Sequence, residues 1–180
     1  LIILLALFIK NPNTMIDGKI LQRPTLSHIL GTDNLGRDIY TRLIFGTFNT
    51  LSVVILSISI STIIGTLIGG ISGFYGGYID SIIQTFIHII LSIPSILIAI
   101  TVVVIMGPGF YSLIFAMVLM YLPLIVSHVR GITIKEKEKE YVMAAKTYGV
   151  GNIRIIVRHI LPNIKKYILI NFVINFAKGI

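Results

Sequence analysis

The sequence predicts an all-α integral membrane protein, a multi-span helical bundle, on three observations. Of its 180 residues 55% are hydrophobic and only 12% charged, with a mean hydropathy of +0.94, whereas a soluble domain carries about a quarter charged residues. From Leu43 to Val129 the only formally charged side chain is Asp80. A helix crossing ~30 Å of hydrocarbon needs about 20 apolar residues, so that stretch holds about three spans. Finally, runs such as "TVVVIMG" and "FVINF" do not alternate. A barrel strand must alternate, and otherwise only helices close every backbone hydrogen bond inside lipid.

The elements follow in order. Residues 1–9, "LIILLALFI", are too short to span and read as the end of a first transmembrane helix. They lack the basic start and small-residue cleavage site of a signal peptide. The chain opens on Leu and stops in an apolar run, so it is expected to be a fragment: about four full or partial core spans with remnants at the ends. Residues 10–46 form a loop and its exit, punctuated by proline, glycine and Asx residues as far as Arg42. The second span is expected from about Thr47 to Gly73, with the glycine-rich turn "GFYGGYID" after it. The third covers Ser81 to Met106 and should kink at Pro94, which lacks a donor. "GPG" at 107–109 is a tight turn, the fourth span runs from Phe110 to Ser127, and a fifth begins near Tyr167 beyond the polar segment 128–166.

Parity places loop 10–42 and turn 107–109 on one side, and turn 74–80 and segment 128–166 on the other. The first side carries Lys10, Lys19, Arg23, Arg37 and Arg42. The second carries Arg130, Lys135, Lys137, Lys139, Lys146, Arg154, Arg158, Lys165 and Lys166. Basic residues favour the cytoplasm, so 128–166 is expected inside and 10–46 outside. The same rule accounts for the net charge of +8 without nucleic acid.

Two rows stand out. Ser57, Ser61, Gly65, Gly69, Gly73 and Gly77 recur every four places, allowing close helix approach. Four steps overshoot a turn by about 40°, so the row winds around the helix. It suits ordinary packing or a helix that slides against its neighbour. Asp80, Gln84 and His88 follow at i, i+4 and i+8, then Ser92 beside Pro94. Polar groups at such depth line a pathway or hold helices together. No second histidine lies at ligand spacing from His88, so no metal site is expected. There are no cysteines, no G-x-x-x-x-G-K-[ST] phosphate loop, and no nucleophile–base arrangement, the four histidines lying in separate segments. The chain therefore has no expected catalytic residue.

The segment "EYVMAAKTYGVGNIRIIVRHILPN", Glu140 to Asn163, is basic and helical in character. Helix formers run to Tyr148, Gly149 terminates them, and Gly151 and Asn152 cap a second helix with Ile153, Ile156, Val157 and Ile160 on its apolar face and Pro162 at its end. Such a hairpin either rests on headgroups or inserts small Ala144 and Ala145 into a protein groove.

"AAKTYG", nine residues, then "HILP" resembles the cytoplasmic signature of ABC importer permeases: E-A-A, three residues, G, nine residues, I-x-L-P. "HILGTDNLGRDIYTRLIFG", His28 to Gly46, resembles the outer-loop signature of the dipeptide, oligopeptide and nickel subfamily, with His28, Gly31, Thr32, Asp33, Gly36, Arg37, Asp38 and Arg42 at its polar and glycine positions. "GGYID" through "LSIPSILIAI" fits as well, so the resemblance runs through essentially the whole chain, in order.

The resemblance implies a type I ABC importer permease, with residues 47–180 its truncated transmembrane domain and 128–166 its cytoplasmic coupling segment. Glu140, Ala144, Ala145, Lys146, Gly149, Leu161 and Pro162 are then the coupling residues. They would dock on a separate ATP-binding subunit that uses ATP and Mg, this chain binding no cofactor. A second homologous permease would pair with it, and an extracytoplasmic solute-binding protein would deliver peptide, nickel or a metal chelate. Three positions depart from the pattern. Met143 stands where the motif has glutamate, with Glu140 one turn earlier placed to take over. His159 stands where the general motif has isoleucine. Thr85 and His88 stand where the subfamily commonly has arginine and aspartate. The competing functions are a gradient-driven secondary transporter, for which only Asp80 is available as an intramembrane charge, and a membrane scaffold whose basic segment binds anionic lipid.

Overall fold

The computed structural model describes residues 20–180. The expected helix end at 1–9 and the loop as far as Lys19 lie outside these. The chain divides into two compact units, Leu1–Ser52 and Val53–Ile180. Among the described residues regular structure is helical, with only two isolated β-bridges, Thr25–His28 and Thr32–Asp38.

In the first unit a compact loop leads into helix α1 (Ile39–Tyr75), and the division between units falls within that helix. The second unit continues with α2 (Gly77–Ser92), α3 (Ser95–Met106), α4 (Phe110–Glu136), α5 (Glu140–Thr147) and α6 (Asn152–Ile155). A π-helical turn (Ile156–Ile160), α7 (Leu161–Asn163) and α8 (Lys165–Gly179) complete it. By length and hydropathy α1 and α4 can each cross a membrane, and α2 with α3 makes a third if the pair is one span.

Several boundaries differ from expectation. α1 and α4 overrun their apolar cores at the ends, because nothing in "IYTRLIFG" or "SHVRGITIKE" breaks a helix. The turn between α1 and α2 shrinks to Gly76, at φ +66, with Gly77 at +53 already opening α2. Gly77 therefore leaves the row of small residues. The kink at Pro94 is a complete break of 87°. Pro94 supplies no amide, and it forces Ile93 into an extended conformation at φ −90, ψ 125.

The small-residue row is the seam between α1 and α4. Ser57 Oγ donates to the Ile114 carbonyl at 3.4 Å. A Cβ on Gly65 would come within 2.8 Å of Ile125, one on Gly69 within 2.7 Å of the Val126 carbonyl, and one on Gly73 within 2.7 Å of the Arg130 carbonyl. Both helices advance together along these contacts, so they run in the same direction. Each step of four on α1 meets a step of about four on α4, ridge into groove. Beside it, Gly70 faces Ile156 and Leu161, which brings the hairpin onto the end of α1.

This geometry settles the path of the bent pair. Asp80, at the start of α2, bonds Arg130, while the end of α3 leads through Gly107–Gly109 to Phe110, at the far end of α4. Arg130 and Phe110 are about 20 residues apart along α4, roughly 30 Å. Two legs of 16 and 12 residues set at 87° reach end to end about 30 Å, enough for the hydrocarbon core. The pair is one broken span rather than a loop returning to the side it left.

The core collects at the hairpin end: Phe74 from α1, Ile125 and Val129 from α4, Val142 and Ala145 from α5, and Ile155, Ile156, Ile160 and Ile164 from the return.

Candidate functional site

Three groups of residues carry the candidate chemistry, beginning in the first unit. Asp33 is the hub of the loop. Its Oδ1 accepts the amides of Leu35 and Arg37 at 2.8 and 2.9 Å, and its Oδ2 accepts Arg37 Nε at 2.8 Å and Arg42 Nη1 at 2.5 Å. Partial burial pushes this carboxyl up, but the two amides and two guanidinia outweigh it and hold it well below the usual carboxylate range. Asp38 caps α1, its Oδ2 accepting the Thr41 amide at 2.8 Å and the Thr41 hydroxyl at 2.7 Å. Its Oδ1 lies 3.1 Å from Nδ1 of buried His28. Burial works against this carboxylate too, and Thr41 and His28 lower it overall. Gly31 and Gly36 sit at φ +77 and +71, and any side chain on Gly31 would strike the Gln22 carbonyl. Thr32 Oγ1 accepts the Gln22 amide at 2.9 Å. All eight residues of the outer signature thus join in one folded clasp.

The second group lies where α1, α2 and α4 meet. Arg130 donates from Nε to Asp80 Oδ1 at 2.6 Å and from Nη2 to Oδ2 at 2.5 Å, a bidentate pair. Ser72 also donates to Asp80, and Gln84 Nε2 donates to Ser72 at 3.3 Å. Lys137 Nζ donates to the carbonyls of Gly73 and Phe74 at 2.9 and 3.4 Å, satisfying α1's terminal carbonyls, which have no partner within the helix. The polar row of α2 is therefore divided. Asp80 and Gln84 hold helices together. His88 and Ser92 stand exposed, Ser92 donating to its own Ile89 carbonyl at 2.7 Å, and Pro94 marks the break. Thr85 likewise donates to its own helix, at the Ser81 carbonyl. Sequence reasoning missed Arg130, Ser72 and Lys137 as partners. A signal was present: Asp80 is the lone charge of the apolar stretch, and Arg130 the first charge beyond it, on the same side by parity.

The third group is the hairpin. Buried Glu136 accepts the Tyr141 hydroxyl at 2.9 Å and pairs with Lys139 at 2.8 Å, fixing the corner from α4 to α5. The Glu136 carboxylate raises the Lys139 ammonium above its ordinary value, and burial with Glu136 beside it raises the Tyr141 phenol. At the end of α5 the Gly149 amide donates to Lys146 and the Val150 amide to Ala145, at 2.9 and 3.1 Å, with Gly149 at φ +74. This is the paired closure that a left-handed glycine permits.

α5 has two faces. Val142 and Ala145 are buried in the core, while Glu140, Met143, Ala144, Lys146 and Tyr148 are exposed, Tyr148 at 87%. Lys146 Nζ lies 5.0 Å from the Phe74 ring centroid. Of the expected coupling residues, Glu140, Ala144, Lys146, Gly149 and Pro162 face outward, whereas Ala145 and Leu161 face the core side. Met143, at the motif's glutamate position, and Tyr148, which was not anticipated, join the outward face.

The return helix also corrects an expectation. Ile153 and Val157 are exposed, at 71% and 53%, and the buried set is Ile155, Ile156, Ile160 and Ile164. Pro162 does not end the helix at once. With no amide to give Arg158, it leaves the preceding turn wide, and the Leu161 amide bonds the Ile156 carbonyl five residues back. The wide turn rotates the apolar face away from the one a regular α-helix would present.

A bundle of apolar helices with broken and overlong spans, charged only at its ends, defines a multi-pass membrane protein. Residues 65–180 match the family described as the binding-protein-dependent transport system inner membrane component, and the chain belongs to that family. It is 39% identical over 160 residues to the dipeptide transport system permease protein DppC of Alkalihalophilus pseudofirmus, covering 89% of this chain and 53% of that one. It is 34% identical to the di/tripeptide transport system permease protein DppC of Pseudomonas aeruginosa, over 84% and 50% of the two chains. To the glutathione transport system permease protein GsiD of Pectobacterium atrosepticum it is 35% identical, over 87% and 52%. The chain spans about half the length of the curated relatives it matches.

Proposed function

We propose that this chain serves as a permease subunit of an ATP-driven, binding-protein-dependent importer of peptides, oriented with segment 128–166 in the cytoplasm. Its relatives are transport permeases, and the reading keeps ATP and Mg on a separate ATP-binding subunit. A second homologous permease completes the path, and an extracytoplasmic solute-binding protein delivers substrate. The peptide preference rests on the relatives' printed names, and the nickel and metal-chelate alternatives rest only on the resemblance of the motifs.

The observation that carries the reading is the two-faced α5. Val142 and Ala145 tie it to a core that includes Phe74 of α1 and Ile125 and Val129 of α4. Its opposite face, Glu140, Met143, Ala144 and Tyr148, is exposed and has no cover among the described residues. A helix so built transmits a push on its outer face to the spans, because packed interiors yield little.

The test is a mild-detergent pull-down of the full-length tagged protein with co-purified chains identified by mass. An ATPase and a second permease should accompany the wild type, and Ala144→Arg or Gly149→Arg should shed the ATPase while still inserting. Gly149→Asn keeps the left-handed turn at low cost and should retain it. Purification alone in every case would remove the reading.

A further inference from the structure

We propose that the groove between the end of α1 and the return helix binds an anionic phospholipid. The groove is open, about 830 Å³ in volume, and lined by Tyr75, Ile153, Val157, Arg154 and Arg158 together with the Gly151–Asn152 turn. Four features point to that ligand.

Arg154 and Arg158 lie four apart, on one face of the return. Neither guanidinium has an ion-pair partner among the described residues, where every salt bridge involves other basic groups. Two forked donors side by side match phosphate oxygens. Ile153 and Val157 expose aliphatic surface next to those charges, so one ligand must satisfy apolar and anionic demands together. Tyr75 is the last residue of a membrane-spanning helix, which sets the groove at the boundary where headgroups lie. A tyrosine there presents a ring to the acyl region and a hydroxyl to water.

A free phosphate would leave the aliphatic wall wet, and a neutral lipid would leave two guanidinia uncompensated. A phospholipid with net negative charge satisfies both. The wide turn at Ile156–Ile160 belongs to the same device: Val157 lies within it and lines the groove. Anionic lipid seated there would brace the hairpin against the end of α1. This inference rests on the membrane placement and the groove, and it does not depend on what the protein transports.

The experiment uses the full-length protein with its accompanying chains, reconstituted in nanodiscs of phosphatidylcholine mixed with phosphatidylglycerol. Retained lipid is counted by native mass spectrometry. Wild type should retain phosphatidylglycerol over phosphatidylcholine several-fold, and Arg154→Gln with Arg158→Gln should bring the two to parity. Arg154→Lys with Arg158→Lys keeps the charge and should keep most of the preference. Lys165→Gln with Lys166→Gln removes equal charge outside the groove and should leave the preference unchanged. Glycerol phosphate, a headgroup without chains, should fail to displace the lipid. Equal retention of the two lipids by wild type overturns the proposal without any variant. Equal loss in the Lys165/Lys166 pair would mean diffuse attraction, and displacement by glycerol phosphate a free-phosphate site. An arginine-pair variant that keeps its lipid but sheds a protein chain would make the groove a protein contact. Each of these results refutes a lipid site.

Discussion

At the residue scale, Asp33 and Asp80 are both acids at the centre of hydrogen-bond clusters, and they predict different behaviour. Asp33 sits in the loop with a carboxyl held well below the ordinary range. A depressed carboxylate contributes stability above its unfolded pKa and loses it only as pH falls through the lower folded value. The clasp should therefore stay closed through pH about 4, where free carboxylates protonate, and open in stronger acid. Hydrogen exchange at the Leu35 and Arg37 amides reads this directly. Asp33→Asn should speed exchange at both amides at neutral pH, and unchanged protection would show the loop held by other contacts. Asp80 instead pairs with Arg130 at the helix junction, with the two side chains 15% and 31% exposed. Removing one partner of a well-desolvated pair costs 3–5 kcal/mol, so a partly exposed pair should cost about 2. Asp80→Asn should destabilise by that amount, and Asp80→Asn with Arg130→Gln by less than the sum of the two single changes. Unfolding in mixed micelles measures the cycle, and strict additivity would deny the coupling.

At the element scale, glycines separate positions that need a missing side chain from positions that do not. A Cβ at Gly69 or Gly73 meets backbone and Cβ atoms of α4 below 3 Å, whereas Gly131, on α4 itself, has nothing within 4 Å. Gly69→Ala and Gly73→Ala should each cost about 1–3 kcal/mol through overpacking. Gly131→Ala should be neutral or stabilise by up to about 1 kcal/mol, since alanine loses less freedom in a helix. Thermal unfolding of the three variants would show it, and a tolerated Gly73→Ala would mean that the α1–α4 seam is loose. The same elements show what a sequence makes legible. Small residues every four places announce a close helix contact, and the structure makes them one. The identity of the partner helix was not legible, because α4 carries no matching row: Val126 and Arg130 meet the glycines through their backbone. The apolar face of the return helix was misread for a related reason. Periodicity assumes 3.6 residues per turn, and one wide turn before Pro162 changes the phase. Gly149 was readable because a left-handed terminator is a property of one residue and needs no knowledge of neighbours.

At the scale of the whole molecule, the path of the chain follows from three contacts read together: Ser57 with Ile114, Gly73 with Arg130, and Asp80 with Arg130. The first two make α1 and α4 parallel, and the third starts α2 at the shared far end. The chain between Asp80 and Phe110 must then return the length of α4, whatever its bend at Pro94. Sidedness follows. Leu26, fully exposed in the loop, and Pro108 should lie on one face of the membrane, with Glu138 and Tyr148 on the other. These 180 residues contain no cysteine, so each single-cysteine variant adds the one thiol among them, and labelling is read against the unsubstituted protein. Leu26→Cys and Pro108→Cys should react with an impermeant maleimide added outside intact cells. Glu138→Cys and Tyr148→Cys should react only after the membrane is opened. If Pro108→Cys labels with the second group, the α2–α3 pair dips into the membrane and returns, and α1 and α4 cannot both span in the same direction. If all four labels reverse together, the path stands but the orientation from basic residues is inverted, and α5 would face away from any cytoplasmic ATPase. Charge bias gives the direction and packing gives the path, so the labelling pattern tests each without the other.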